Sequence, residues 1–179
     1  QQVKEIEDII YQLTNDGVTG DQMGIARIWR AFIYHRLTDL YGDVPYSEAG
    51  KGYIDGVLKP KYDAQQDIYM DMLKELEEGV SQLGSTSSLG NSDLLFQGDL
   101  GKWKKFGNSL MLRLALRLSK ADPSTSQAWA TKAIAGGVMT SNADIAYIQH
   151  LLGPDGWNKN GNGEVFMADG NPRLSKTFV

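Results

Sequence analysis

The sequence predicts an all-α protein built of helix–turn–helix pairs separated by long loops. Apolar residues recur at helical spacing in five segments, and none of these segments alternates with the two-residue period of a strand. Clusters of Gly, Pro, Asn and Asp fall between them. Successive pairs start several tens of residues apart, which is a repeat-like layout.

Val3, Ile6, Ile10 and Leu13 mark the first helix, and Asn15-Asp16-Gly17 ends it. A second helix is predicted over about 21–41. Its broad apolar face is Ile25, Ile28, Trp29, Phe32, Ile33, Leu37 and Leu40, with Arg27, Arg30 and Asp39 elsewhere. Gly42-Asp43-Val44-Pro45 stops it, because the residue before a proline resists helical dihedrals. Residues 46–62 lack periodicity and read as a long loop.

Asp63 reads as an N-cap, with Gln66 three residues on completing a capping box. Tyr69, Leu73, Leu76, Val80 and Leu83 mark the helix that follows, and GSTSSLGNS reads as a linker. Asp99 is the next expected cap; its helix is expected to run until Asp122-Pro123. Ser124 or Ser126 is expected to cap a shorter helix closed by Gly136-Gly137. Asn142 to Ile148 suggest a turn and a short helix, residues 153–163 a loop, and about 150–170 a weakly structured region. The whole, 1–179, is read as a single helical domain.

Composition narrows the function. Hydrophobic residues make up 41% and charged residues 22% of the 179, an ordinary globular balance. The formal net charge of −4 argues against a dedicated nucleic-acid binder. With no cysteine, disulfides, thiol catalysis and thiolate-bound zinc are excluded. No run of about 18 apolar residues offers a transmembrane helix. The chain opens at Gln1 and runs straight into a helical pattern, so it reads as a mature piece whose targeting segment has been removed.

The stretch KWKKFGNSLMLRLALRLSK, residues 102–120, has six cations and no carboxylate. On a helical wheel Arg113, Arg117 and Lys120 form a narrow stripe, while Leu110, Met111, Leu112, Leu114, Ala115, Leu116 and Leu118 cover the rest, about two thirds of the circumference. A membrane-surface helix needs a broad polar face, and Lys104 and Lys105 point away from the arginine stripe. The segment is therefore expected to be a core helix surrounded by other helices, its arginines reaching a polar gap or the rim.

Within this region, DLLFQGDLGKWKKFGNSLMLRLALRLSK resembles the signature helix of the SusD/RagB-like outer-membrane lipoproteins. Upstream, RLTDLYGDVPYSEA and PKYDAQQDIYMDMLKELEEGVSQL resemble that family's aromatic helix and its successor. Downstream, AIAGGVMTSNADIA resembles the next repeat helix and turn, and FMADGNPRL a later segment in which Asn171 stands where Asp is usual. The resemblance implies a tetratricopeptide-like helical core, part of a longer SusD-like protein. It further implies a lipid-anchored, non-catalytic protein on the outer-membrane surface. Such a protein captures nutrients, commonly oligosaccharides, above a TonB-dependent transporter barrel of the SusC type.

No catalytic, nucleotide or cofactor motif is present. His35 and Asp39 share a helical face, but zinc needs a third ligand that the sequence does not offer. Asp67, Asp71, Glu75, Glu77 and Glu78 are expected to be a solvated helix surface. NKNGNGEVFMAD, 158–169, has EF-hand spacing, but Asn158, Asn160 and Asn162 leave it charge-poor for calcium, so it reads as a surface loop.

Sugars are held by aromatic faces with amides and carboxylates bonding the hydroxyls. Loop aromatics are the candidates: Tyr46, Tyr53, Tyr62 and Trp157, the last beside Asp155, Asn158 and Asn160. Tyr46, Tyr53, Trp157 and Asn158 are taken as the ligand-binding set, whereas Trp29, Phe32 and Phe106 fit core packing. An alternative reading is a helical-repeat scaffold that binds protein partners without glycan.

Overall fold

The computed structural model describes residues 1–148, and five α-helices carry their fold. They are α1 (Gln2–Asn15), α2 (Asp21–Tyr41), α3 (Gln65–Gln82), α4 (Leu100–Arg117) and α5 (Pro123–Ala135). Short 3-10 turns occupy Gly90–Ser92 and Asn142–Asp144. Residue contacts gather into two units, Gln1–Ala146 and Tyr147–Val179, and the architecture below is that of the first. The 153–163 loop, the 150–170 region and the calcium-like 158–169 segment lie outside the described residues.

The helices form successive neighbours, α1 on α2, α2 on α3, α3 on α4 and α4 on α5, with a further α2–α4 contact. α2 is central and buries residues around most of its circumference, among them Ile28, Ala31, Tyr34, His35 and Thr38. Ile68, Met72, Leu73 and Leu76 of α3 and Met111 and Leu114 of α4 complete the fully buried centre. α2 and α3 approach closely because glycines meet at the crossing: a Cβ on Gly24 would lie 2.6 Å from the Gly79 carbonyl oxygen. Gly107 likewise lets α4 sit against Val80 and Ile28.

The caps correct the sequence expectations. Asp63 does not cap α3, whose N-cap is Ala64; Asp43 reaches across the loop instead and accepts from the Gln65 N–H at 2.9 Å. Asp63 is held away by the loop itself, accepting from the backbone N–H groups of Tyr46 and Ser47, and its backbone pairs with Val44 in an isolated β-bridge. Asp99 caps α4 as expected, accepting from Lys102 N–H at 3.0 Å. α4 stops at Arg117, and neither Ser124 nor Ser126 caps α5. Asp122 does so through Thr125 N–H, with Pro123 pre-set in the first turn.

α4 is also less enclosed than its composition implies. Trp103, Leu110, Met111, Leu114 and Ala115 are buried, but Leu116 is 56% exposed and Arg113 lies on the same open side. Trp29, Phe32 and Phe106 are half-buried and form one aromatic cluster with Trp103 and Phe96.

Candidate ligand-binding site

The loop between α2 and α3 is tied down at Tyr46. The Tyr46 ring packs edge-on to Tyr34 at 4.6 Å and lies 4.3 Å from the Arg30 guanidinium carbon. Its hydroxyl donates to Asp71 Oδ2 at 2.6 Å and accepts from Arg30 Nη1 at 2.6 Å. Burial pushes the Tyr46 and Tyr34 phenols well above their ordinary range, so both stay neutral. Tyr46 is thus an anchor and only 5% exposed, where the sequence suggests an open loop aromatic. A polar residue pattern on α2 and α3 (Arg30, Asp71) recruits it inward, a signal invisible when the loop is read alone.

Tyr53 stands at the other extreme. It is 91% exposed, and the Lys4 ammonium lies 5.4 Å from the centre of its ring. Tyr62, nearer the base of the loop, is 72% exposed. Trp157 and Asn158 lie outside the described residues. Beside the loop is a cleft of about 410 Å³ walled by Arg30, Tyr46, Ser47, Asp63, Asp67 and Lys74.

A second cleft, of about 550 Å³, opens on the far side of Met70, which borders both. Its polar wall is a network around Asp39. One Asp39 oxygen accepts from the Tyr69 hydroxyl, which in turn accepts from Arg117 Nε at 3.0 Å. The other oxygen faces Arg117 Nη2 and His35 Nε2, each at 3.2 Å. Burial raises the Tyr69 phenol to about 12, with the Asp39 carboxylate adding to it. Burial also lowers the His35 imidazole below its usual value, opposed by Asp39 and assisted by Arg113 and Arg117. His35 and Asp39 do meet, yet both Asp39 oxygens are already occupied. Among the described residues no three His, Cys, Asp or Glu side chains converge on one point.

Most of the α3 carboxylates are solvated as their sequence suggests, with Asp67 exposed and the Asp71, Glu77 and Glu78 side chains at 49%, 44% and 58% exposure. Glu75 is only 20% exposed, and all but Asp67 are also engaged by described partners. Arg27 clasps Glu75 and Glu78 at 2.7 Å each, Glu77 pairs with Lys132 at 2.6 Å, and Asp71 holds Tyr46. Glu75, buried beside Arg27, has its carboxyl pushed up by desolvation. Sequence reasoning also missed Tyr69 and Arg117 as cleft residues, because both sit in segments whose periodicity assigns them to core and rim.

Paired helices packed one after the next, with no strand among the described residues and polar clefts at their ends, define an all-α protein of tetratricopeptide-like build. A family model described as SusD-like, "Starch-binding associating with outer membrane", matches residues 1–167. The chain belongs to the SusD-like family.

Among solved structures it is similar to a chitin-binding protein, at 38% identity and a TM-score of 0.80 over 93% of this chain and 34% of that one. A Bacteroidetes SusD-like protein shares 35% identity and a TM-score of 0.72, over 83% of this chain and 27% of that one. A chitin-binding SusD homolog from Flavobacterium johnsoniae shares 29% identity and a TM-score of 0.70, over 81% and 32%. The chain therefore spans about a third of the length of these relatives. No curated protein matches it.

Proposed function

We propose that this chain is the helical core of a non-catalytic glycan-binding protein, lipid-anchored at the outer-membrane surface and working with a SusC-like, TonB-dependent transporter. The observation that carries this reading is the 38% identity with a chitin-binding protein over 93% of the chain. In this reading Tyr53, on its exposed loop, stacks on the sugar, with Tyr62 of the same loop as a further contact. A tyrosine that is 91% exposed suits that role, since a pyranose ring can cover a face that solvent otherwise occupies.

Calorimetric titration of the full-length protein with chito- and malto-oligosaccharides tests the reading. Saturable binding of one series is expected, weakened by Tyr53→Ala without a change in thermal stability. Absence of binding to both overturns it. Co-purification of a transporter barrel with the protein from solubilised outer membranes tests the partnership. The open side of α4, with Leu116 and Arg113, favours a protein-binding scaffold as the second reading. Protein capture without any glycan binding would select it.

A further inference from the structure

We propose that the cleft bordered by Asp39, Gln66, Tyr69, Arg117 and Asp122 is a second saccharide subsite, one that takes a neutral, hydroxyl-rich ring. The inference rests on the glycan-binding reading above and extends it across α3, from the Tyr53 loop to the start of α5. About 550 Å³ lies within the range of small-ligand sites.

The free hydrogen-bonding groups select the ligand. Arg117 uses Nε and Nη2 on Tyr69 and Asp39, which leaves Nη1 without a bond to any described residue. The Gln66 side chain is exposed and makes no hydrogen bond to a described residue. Gln65 donates through Nε2 to the Thr38 carbonyl, and its oxygen has no described donor. Asp122 is already engaged by Thr125 and Ser124 through Oδ1 and adds a carboxylate to the rim. Both donors and acceptors therefore border one opening. Hydroxyls, which both donate and accept, satisfy such a mixed set.

Other ligand classes fit worse. An anion would meet Asp39 and Asp122, and the charge of Arg117 is already matched by Asp39. A cation would find both Asp39 oxygens occupied. A purely apolar ligand would strip water from Arg117, Gln66 and Asp122 without replacing its hydrogen bonds. Met70 and Leu118 supply an apolar patch in the same cleft, suited to the C–H face of a pyranose.

Chitohexaose and maltohexaose, titrated calorimetrically into the full-length protein, provide the test. Gln66→Ala removes one exposed, uncommitted group and should weaken binding about threefold to tenfold. Ala121→Leu fills the opening from the opposite, exposed wall and should weaken it at least as much. Thermal melts of both variants should match the parent protein. If the parent binds, and both variants bind as tightly as it does, the second subsite is overturned while the glycan reading stands. If the parent binds neither oligosaccharide, both readings fall together.

Discussion

Arg30 Nε donates to Glu7 Oε1 at 2.7 Å, and the two side chains are only 11% and 9% exposed. This pair fastens α1 to α2 and continues outward. The Tyr34 hydroxyl donates to the same Glu7 oxygen at 2.9 Å, and Arg30 passes on to Tyr46 and Asp71. The loop between α2 and α3 is thereby connected to the first helix through one buried cation. Although burial works against the charge of Arg30, Tyr46 and Glu7 hold its pKa above the ordinary value.

Glu7→Ala should therefore destabilise the protein by about 3 kcal/mol, at the low end for breaking a buried ion pair because Asp71 remains 3.7 Å from Arg30. Urea denaturation followed by circular dichroism measures it. A loss below about 1 kcal/mol would mean that the pair behaves as a surface salt bridge.

The α2–α3 crossing gives a prediction with a diagnostic sign. In a helix interior Gly→Ala ordinarily stabilises, by roughly 0.5–1 kcal/mol. At Gly24 the new Cβ would lie 2.6 Å from the Gly79 carbonyl oxygen and 3.0 Å from Leu83, so the helices must separate. Gly24→Ala should cost about 1–3 kcal/mol instead. A midpoint that rises in the same denaturation experiment would show that the crossing can relax.

The helices were legible in the sequence because their apolar period is strong: α1 and α2 fall where Val3 to Leu13 and residues 21–41 place them. What the period cannot give is which polar group wins a backbone N–H. Asp63, Asp43 and Asp99 look alike in sequence as caps, and only the path of the 46–62 loop decides that Asp43 reaches Gln65. The same limit applied to Tyr46 and Tyr53. Both are tyrosines of one loop without periodicity, and one is buried while the other is almost bare because Arg30 and Asp71 wait beneath only one of them.

Asp93 is a residue whose weight no sequence pattern announced. It is 6% exposed and accepts from Trp103 Nε1 at 2.7 Å and from the backbone N–H groups of Leu95, Phe96 and Gly98. Burial alone would raise its carboxyl, but these donors outweigh burial and hold it below 3.8. Its stabilisation is therefore present above the ordinary carboxylate value and lost as pH falls through the lower folded value. Asp93→Ala should cost at least about 2 kcal/mol, since it orphans several buried donors. It should also shift the Trp103 contribution to the fluorescence. Melts at pH 7 that match the parent protein would contradict this.

His35 should couple stability to pH near neutrality. The ring is 3% exposed, between Asp39 at 3.2 Å and the Phe32 carbonyl at 3.4 Å, with Arg113 and Arg117 adding positive charge around it. Its folded pKa is lowered from 6.5, so the unfolded chain takes up a proton first as pH falls. Stability is full above about pH 6.5 and declines below it, by at most about 1.4 kcal/mol per pH unit for one proton. Glu75 works with the opposite sign: its raised folded pKa gives stability that is present at low pH and lost as pH rises. The difference between two proteins isolates the histidine. His35→Gln keeps a donor toward Asp39 but does not titrate, so its stability should fall less steeply than that of the parent between pH 7 and pH 5. Equal slopes for the two in that interval would assign the decline to the carboxylates instead.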